Sequence, residues 1–435
     1  MLVKKQLLLL LLTASIYIAA AFNAAAQDMD YSRKVIQTLT SAAFKGRGYV
    51  AKGDQVASAF IAREFEKSKL VPLNNGSYFQ DFQLSVNTFP GKVSVKLNQT
   101  KLRTAIDYLI DASSPAVHGK FKVIPVGRAD INTPEKFESL IRKAAAAFIL
   151  LDNRDAGKES TEEQRIISAH VRALRNNEKL NFKGLIIFTT EKLTWTTLTY
   201  QSSRPVIQVN KADLDPKTIQ TITVDVDSKL VPDYHTRNVA GMIKGYSGSD
   251  STLVITAHFD HLGMLGRKVY FPGANDNASG TTFMLNLVRY YAQHQPRYNT
   301  VFIAFSGEEI GLLGSKAFVK NPLIDLKKIR FLVNFDLAGT GEEGIKVVNG
   351  TIFRNKFDQL LNLNTQYQLV PKVEIRDEAC KSDHCPFYQQ GVPSFFIYTM
   401  GGIQAYHDVY DKAETLPLTQ FEHYFQLMVK FFATF

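Results

Sequence analysis

The run Leu253-Val254-Ile255-Thr256-Ala257, followed at once by His258-Phe259-Asp260-His261, constrains this chain more than any other stretch. Consecutive apolar and β-branched residues read as a strand buried on both faces, which belongs inside a largely parallel sheet. The polar residues then fall at its carboxyl tip, where open α/β sheets bind their ligands. Taken alone, His-X-Asp is equally a local hydrogen-bonded pair, so its meaning rests on partners elsewhere in the chain.

Those partners recur strand by strand. Beyond Asn238, strand candidates at 253–257, 300–305, 331–335 and 394–398 alternate with helical segments. This predicts an α/β fold with a mainly parallel sheet flanked by helices. Asp276 sits in the glycine-flanked loop 273–280, just ahead of a helical run whose N-terminus favours an ionised carboxylate, and it is placed to bridge two cations. Glu308 and Glu309 leave the strand 300–305 in different directions, so one can bind metal while the other faces a metal-bound water. Asp336 lies at the tip of 331–335, and His407 lies in the loop after 394–398 with Asp411 four residues on. Each residue alone has a structural explanation as a helix cap, a solvated acid, a turn residue or a loop histidine. Four successive strands that all end in acids and imidazoles have no such common explanation. Imidazole plus carboxylate suits zinc, with manganese or cobalt as alternatives.

The remaining sequence sets the context. Lys4 and Lys5 precede the apolar run 7–21 and the end Ala24-Ala25-Ala26, which reads as a cleavable export signal over 1–26 rather than a membrane anchor. A periplasmic or secreted protein is expected, with no stable membrane anchor. The formal charge of +10 is spread over scattered lysines and arginines without a basic-aromatic stripe, which argues against nucleic acid as a partner. Cys380 and Cys385 read first as a short-loop disulfide in an oxidising compartment, with two free thiols as the alternative. A chain of 435 residues exceeds one ordinary core. We expect an N-terminal part of the catalytic domain over 27–95, an inserted smaller mixed α/β domain over 96–230, and the catalytic domain over 231–435. Oligomeric state is not legible.

The series Ala257-His258-Phe259-Asp260-His261-Leu262-Gly263, the loop 273–280, Gly307-Glu308-Glu309-Ile310-Gly311, Asn334-Phe335-Asp336, Ser382-Asp383-His384 and Tyr406-His407 resembles the co-catalytic zinc aminopeptidase family, exported α/β metallopeptidases similar to bacterial leucyl aminopeptidase. Phe44-Lys45-Gly46-Arg47-Gly48 resembles the N-terminal part of that family, and 96–230 loosely resembles its protease-associated insert. The resemblance implies hydrolysis of N-terminal residues from peptide substrates with two zinc ions per chain. His258 and Asp336 would hold one metal, Glu309 and His407 the other, and Asp276 would bridge them. Glu308 would be the general base, and Asp260 would support catalysis by orienting His258. Asp411 would also stand behind the ligands, while His261 and His384 would be structural. Where the family carries Thr after the histidine and a later Asp, this chain has Asp408 and Glu414. Rival readings on the same scaffold are a zinc glutaminyl cyclase and a carboxypeptidase or dipeptidase. A peptidase-like binding ectodomain is the non-enzymatic rival.

Overall fold

The structure, a computed structural model, describes residues 28–435, so the export signal expected over 1–26 lies outside the described residues. Seven strands concern the site: β1 (Phe79–Thr88), β2 (Lys229–Ile243), β3 (Thr252–His258), β4 (Asn299–Phe305), β5 (Ile329–Phe335), β6 (Gly344–Val348) and β7 (Ser394–Met400). They belong to one nine-stranded sheet. At its centre β4, β3, β5 and β7 run parallel, and they contain the four strand candidates read from the sequence. Every residue of β3 is buried, as an unbroken apolar run in a doubly covered sheet requires. The flanks are antiparallel: β2 pairs with both β4 and β1, and β6 pairs with β7.

Chain order explains where the site forms. From β3 the chain first adds β4 on one side and then returns to add β5 on the other. The connecting segments diverge at the carboxyl tip of β3, and divergence of this kind opens the crevice in which such sheets bind ligands.

Helices cover both faces. One face buries α1 (Met29–Leu39), α2 (Gly53–Lys67), α3 (Gly280–Gln293) and α4 (Phe421–Phe432). The other receives Phe318 and Phe387 from the short helices Leu313–Lys320 and His384–Gln389. In α2 the buried side is Ala57, Ser58, Ile61, Ala62 and Phe65, whereas Val56, which helical spacing assigns to that face, is 39% exposed. No helix among the described residues is long and apolar enough to cross a membrane.

A second, eight-stranded sheet occupies the middle of the chain. Its strands run from Val93–Leu97 to Thr221–Val226, so the boundary expected at residue 96 falls inside its first strand, and the boundary at 230 falls inside β2. Phe148–Asp152 and Gly184–Phe188 pair in parallel across the helix Thr161–Asn176. The apolar run 144–151 reads as a buried strand from its sequence, but the strand begins only at Phe148, because Ala144 caps the helix Pro134–Lys143. Thr133 at its N-cap and Pro134 in its first turn are the signals that mark it.

Phe283 of α3 anchors the main core: it is fully buried and its ring meets Phe335, Phe421, Tyr424 and Phe425 at centroid distances of 4.7, 5.4, 4.5 and 5.9 Å. Truncation by Phe283→Ala is expected to destabilise the protein by about 3–5 kcal/mol, through lost burial and an unfilled cavity, as read from the shift of the urea unfolding midpoint.

Candidate metal centre

The strand tips bring His258, Asp276, Glu308, Glu309, Asp336 and His407 into one cluster, and all but His258 line a cleft of about 200 Å³. Asp276 is at its middle. One carboxylate oxygen, Oδ1, lies 3.4 Å from Nε2 of His258, and the other, Oδ2, lies 3.1 Å from Nε2 of His407. Asp336 Oδ1 is 3.3 Å from the same nitrogen of His258, and Glu309 Oε2 is 3.1 Å from that of His407. Two sets of nitrogen and oxygen donors therefore share a single carboxylate.

The other ring nitrogens decide what these groups can bind. Nδ1 of His258 faces the backbone carbonyl of Asp260 at 3.2 Å, and Nδ1 of His407 faces the carbonyl of Trp195 at 3.0 Å. A carbonyl only accepts, so each Nδ1 carries a proton and each Nε2 is free to present a lone pair to a metal. Lone pairs and carboxylate oxygens then confront one another and need a cation between them. Without metal that cation is a proton. Burial disfavours charge on His407, yet Glu309 and Asp276 outweigh it and hold its pKa up to about 11; His258 is likewise raised well above the ordinary value against its own burial, by Asp336 and Glu308. Imidazole and carboxylate donors without thiolate fit zinc. Ligand atoms of His258, Glu308 and Asp336 lie within 4.8 Å of one another, as do those of His261, Asp276 and Glu309.

Glu308 differs from its neighbour. Glu309 is engaged on both oxygens, with Oε1 accepting from Nδ1 of His261 at 2.6 Å and Oε2 facing His407. Glu308 faces the cleft, where burial and the nearby Asp383, Asp336 and Glu309 raise its carboxyl well above the ordinary range against the pull of His258. A carboxylate with raised proton affinity beside a metal site is suited to carry protons.

The frame behind these groups was only partly expected. Asp260 approaches His258 through its backbone carbonyl more closely than through its carboxylate, which is 3.6 Å away. Its two carboxylate oxygens instead accept the amides of Glu308 and Glu309 at 3.2 and 3.4 Å, and Oδ2 also accepts the phenol of Tyr49 at 3.3 Å. Asp411 accepts the amides of Asn275 and Asp276 at 2.8 and 3.0 Å, which fixes the loop that carries Asp276. Ser382 donates to Asp336 at 3.1 Å. It lies inside the ring closed by the Cys380–Cys385 disulfide, whose Cα atoms are 5.0 Å apart. Gly273, with φ near +60°, is obligatory, since a Cβ there would lie 2.2 Å from the carbonyl oxygen of Asp276 and 2.4 Å from the His261 ring.

Sequence reasoning missed several members of this frame. Arg47 is wholly buried and donates to the carbonyls of Leu39, Phe259, Pro272, Gly273 and Asp276 at 2.6–3.2 Å. Burial lowers its guanidinium to about 10, opposed by Asp411, Asp276, Asp260 and Glu309 around it. It thus ties the tip of β3 to the bridging loop and places a positive charge behind the carboxylates. His261, read as structural, holds Glu309. The second sheet contributes as well: the amide and carbonyl of Trp195 both pair with His407, at 2.9 and 3.0 Å, and Thr197 donates to the carbonyl of Glu309 at 2.9 Å. Lys192 reaches the carbonyls of Gln404 and Tyr406 and pairs with Asp408 at 2.6 Å, so the family departure at 408 has its partner in the inserted segment. Only long-range pairing reveals these roles; the glycines around Arg47 were the single local hint.

Residues 238–432 match the model of peptidase family M28. Aminopeptidase YwaD of Bacillus subtilis is 28% identical over 232 residues, covering 51% of this chain and 49% of that protein. A probable leucine aminopeptidase of Arthroderma otae is 33% identical over 174 residues, covering 37% and 45%. The chain thus spans about half the length of the curated relatives it matches. Among solved structures, a zinc aminopeptidase from Bacillus subtilis superposes with a TM-score of 0.67 at 18% identity, covering 94% of this chain and 95% of that one. A peptidase M28 precursor from Shewanella amazonensis gives 0.67 at 15% identity, covering 97% and 96%. The fold is that of these zinc aminopeptidases, and residues 238–432 are similar to peptidase family M28.

Proposed function

We propose that this protein is an exported, zinc-dependent aminopeptidase that removes N-terminal residues from peptides with two zinc ions per chain. The observation that carries the reading is the placement of Asp276, whose two oxygens face two imidazoles that each have a further carboxylate beside them. His258 and Asp336 would hold one ion, His407 and Glu309 the other, and Asp276 both. Zinc supplies, when bound, acidification of a water and polarisation of the scissile carbonyl. Glu308 would be the residue that takes a proton from the attacking water and returns it to the departing amine, a task its raised proton affinity and place in the cleft suit. Asp260 does not touch the reacting atoms; it keeps Glu308 and Glu309 in register by receiving both amides. Burial of these groups excludes bulk water and strengthens each electrostatic contact. Export is supported by the disulfide between Cys380 and Cys385, of a kind that persists in oxidising compartments.

Three outcomes test this. Glu308→Gln is expected to keep two zinc ions per chain by metal analysis while kcat for leucyl-p-nitroanilide falls about 10²–10⁴-fold; undiminished turnover would remove Glu308 from the role. Chelation is expected to abolish activity and zinc to restore it. Zinc uptake at neutral pH should release protons, because His258 and His407 carry them in the metal-free protein and must lose them to coordinate. Affinity should therefore rise with pH, as read by calorimetric titration in buffers of different ionisation enthalpy.

A further inference from the structure

The cleft is not lined by acids alone. Arg376 and Lys381 open onto it, together with Leu337, Phe396, Tyr398 and Tyr406. Arg376 is held firmly: its amide donates to the carbonyl of Val347 at 2.9 Å, its carbonyl accepts the amide of Gly350 at 3.1 Å, and Nη1 donates to the phenol of Tyr398 at 2.9 Å. Among the described residues that is the single hydrogen bond of its guanidinium, which leaves most of its donors unused. Lys381 is exposed and lies within the ring closed by Cys380 and Cys385, so its backbone is also fixed. Glu374, two residues from Arg376, is already engaged by Lys346 and Lys372. Three acids of the cleft face elsewhere, Glu309 towards His261 and His407, Asp276 towards His258 and His407, and Asp336 towards His258 and Ser382, while Glu308 faces the cleft without an ion pair to either cation among the described residues.

Two cations without acidic partners, beside aromatic rings, form a poor surface for a purely aliphatic side chain, because closing the cleft over them removes water and gives nothing in return. A carboxylate would answer both, and the guanidinium fork matches it in two-point geometry. The cleft, at about 200 Å³, is smaller than the pockets that enclose drug-sized ligands, and Arg376 and Lys381 line it together with Glu308, Glu309 and Asp336. The charge it receives must therefore lie close to the scissile amide. Resting on the aminopeptidase reading above, we infer that the preferred substrates carry a carboxylate within one residue of the bond cleaved, recognised by Arg376 and Lys381. The carboxylate can come from an acidic first side chain or from the free C-terminus of a dipeptide, and the two sources share one chemistry.

The test compares matched pairs on the zinc-loaded full chain: glutamyl- against glutaminyl-p-nitroanilide, and Ala-Ala against its C-terminal amide. The charged member of at least one pair is expected to have about tenfold or higher kcat/KM, and that ratio should fall at least about tenfold in Arg376→Gln and in Lys381→Gln. The responding pair identifies the source. Ratios near one in both pairs, or ratios that neither substitution changes, would overturn the inference even with leucyl-p-nitroanilide turned over normally. If no reporter is hydrolysed, the aminopeptidase reading fails separately. Calorimetric titration of the Glu308→Gln protein with Ala-Ala and its amide then still decides: tighter binding of the free acid that depends on Arg376 supports the carboxylate site, and equal binding refutes it.

Discussion

Negative charge gathered in a buried place is the constraint on which the rest of this structure depends. Asp276, Glu308, Glu309 and Asp336 share one cleft at the tips of parallel strands, and no lysine or arginine among the described residues pairs with any of them. Buried carboxylates without partners are costly, so the cluster persists through other devices. Imidazoles face it, the guanidinium of Arg47 stands behind it in a cage of carbonyls, and backbone amides are spent on Asp260 and Asp411. A cation held between His258, His407 and their carboxylates would relieve the repulsion within that cluster. Metal affinity and stability of the site are in that sense one property.

The inserted sheet is part of this frame. The segment from Lys192 to Thr197 returns from the second sheet to pair with His407, the carbonyl of Glu309 and Asp408. The indole of Trp195 anchors the segment by donating to the carbonyl of Ile110 at 2.8 Å and by stacking on Phe271 at 4.9 Å. Leu262, Leu265 and Phe271, which follow β3, share a core with that sheet. A free-swinging module would not set the tautomer of a candidate metal ligand. Here the orientation of His407 is set by a loop between two strands of the second sheet, Gly184–Phe188 and Val206–Val209.

Much of the fold was legible because its signals are local. Mostly apolar runs marked the four parallel strands, and the spacing of Phe421, Tyr424, Phe425 and Met428 reads as the closing helix. Less regular elements escaped. The helix Pro134–Lys143 was marked only by its capping residues, and Val56 fell outside the buried face because the neighbours of α2 determine which side is covered. The candidate ligands were legible for a different reason: acids and imidazoles at successive strand tips are improbable together, so their joint occurrence carries information that no single residue does.

The sequence by itself determined which donors meet, since parallel strands in one sheet must present their carboxyl tips on the same edge. Tertiary structure alone decided how those donors are held and what stands opposite them. Arg47, separated by 229 positions from Asp276, acts through backbone carbonyls that leave no mark on residue type. Trp195 acts on His407 through its own main chain, where any residue offers the same atoms. Arg376 and Lys381 enter the cleft because one strand and one disulfide ring end there, a convergence of segments that periodicity and composition do not encode.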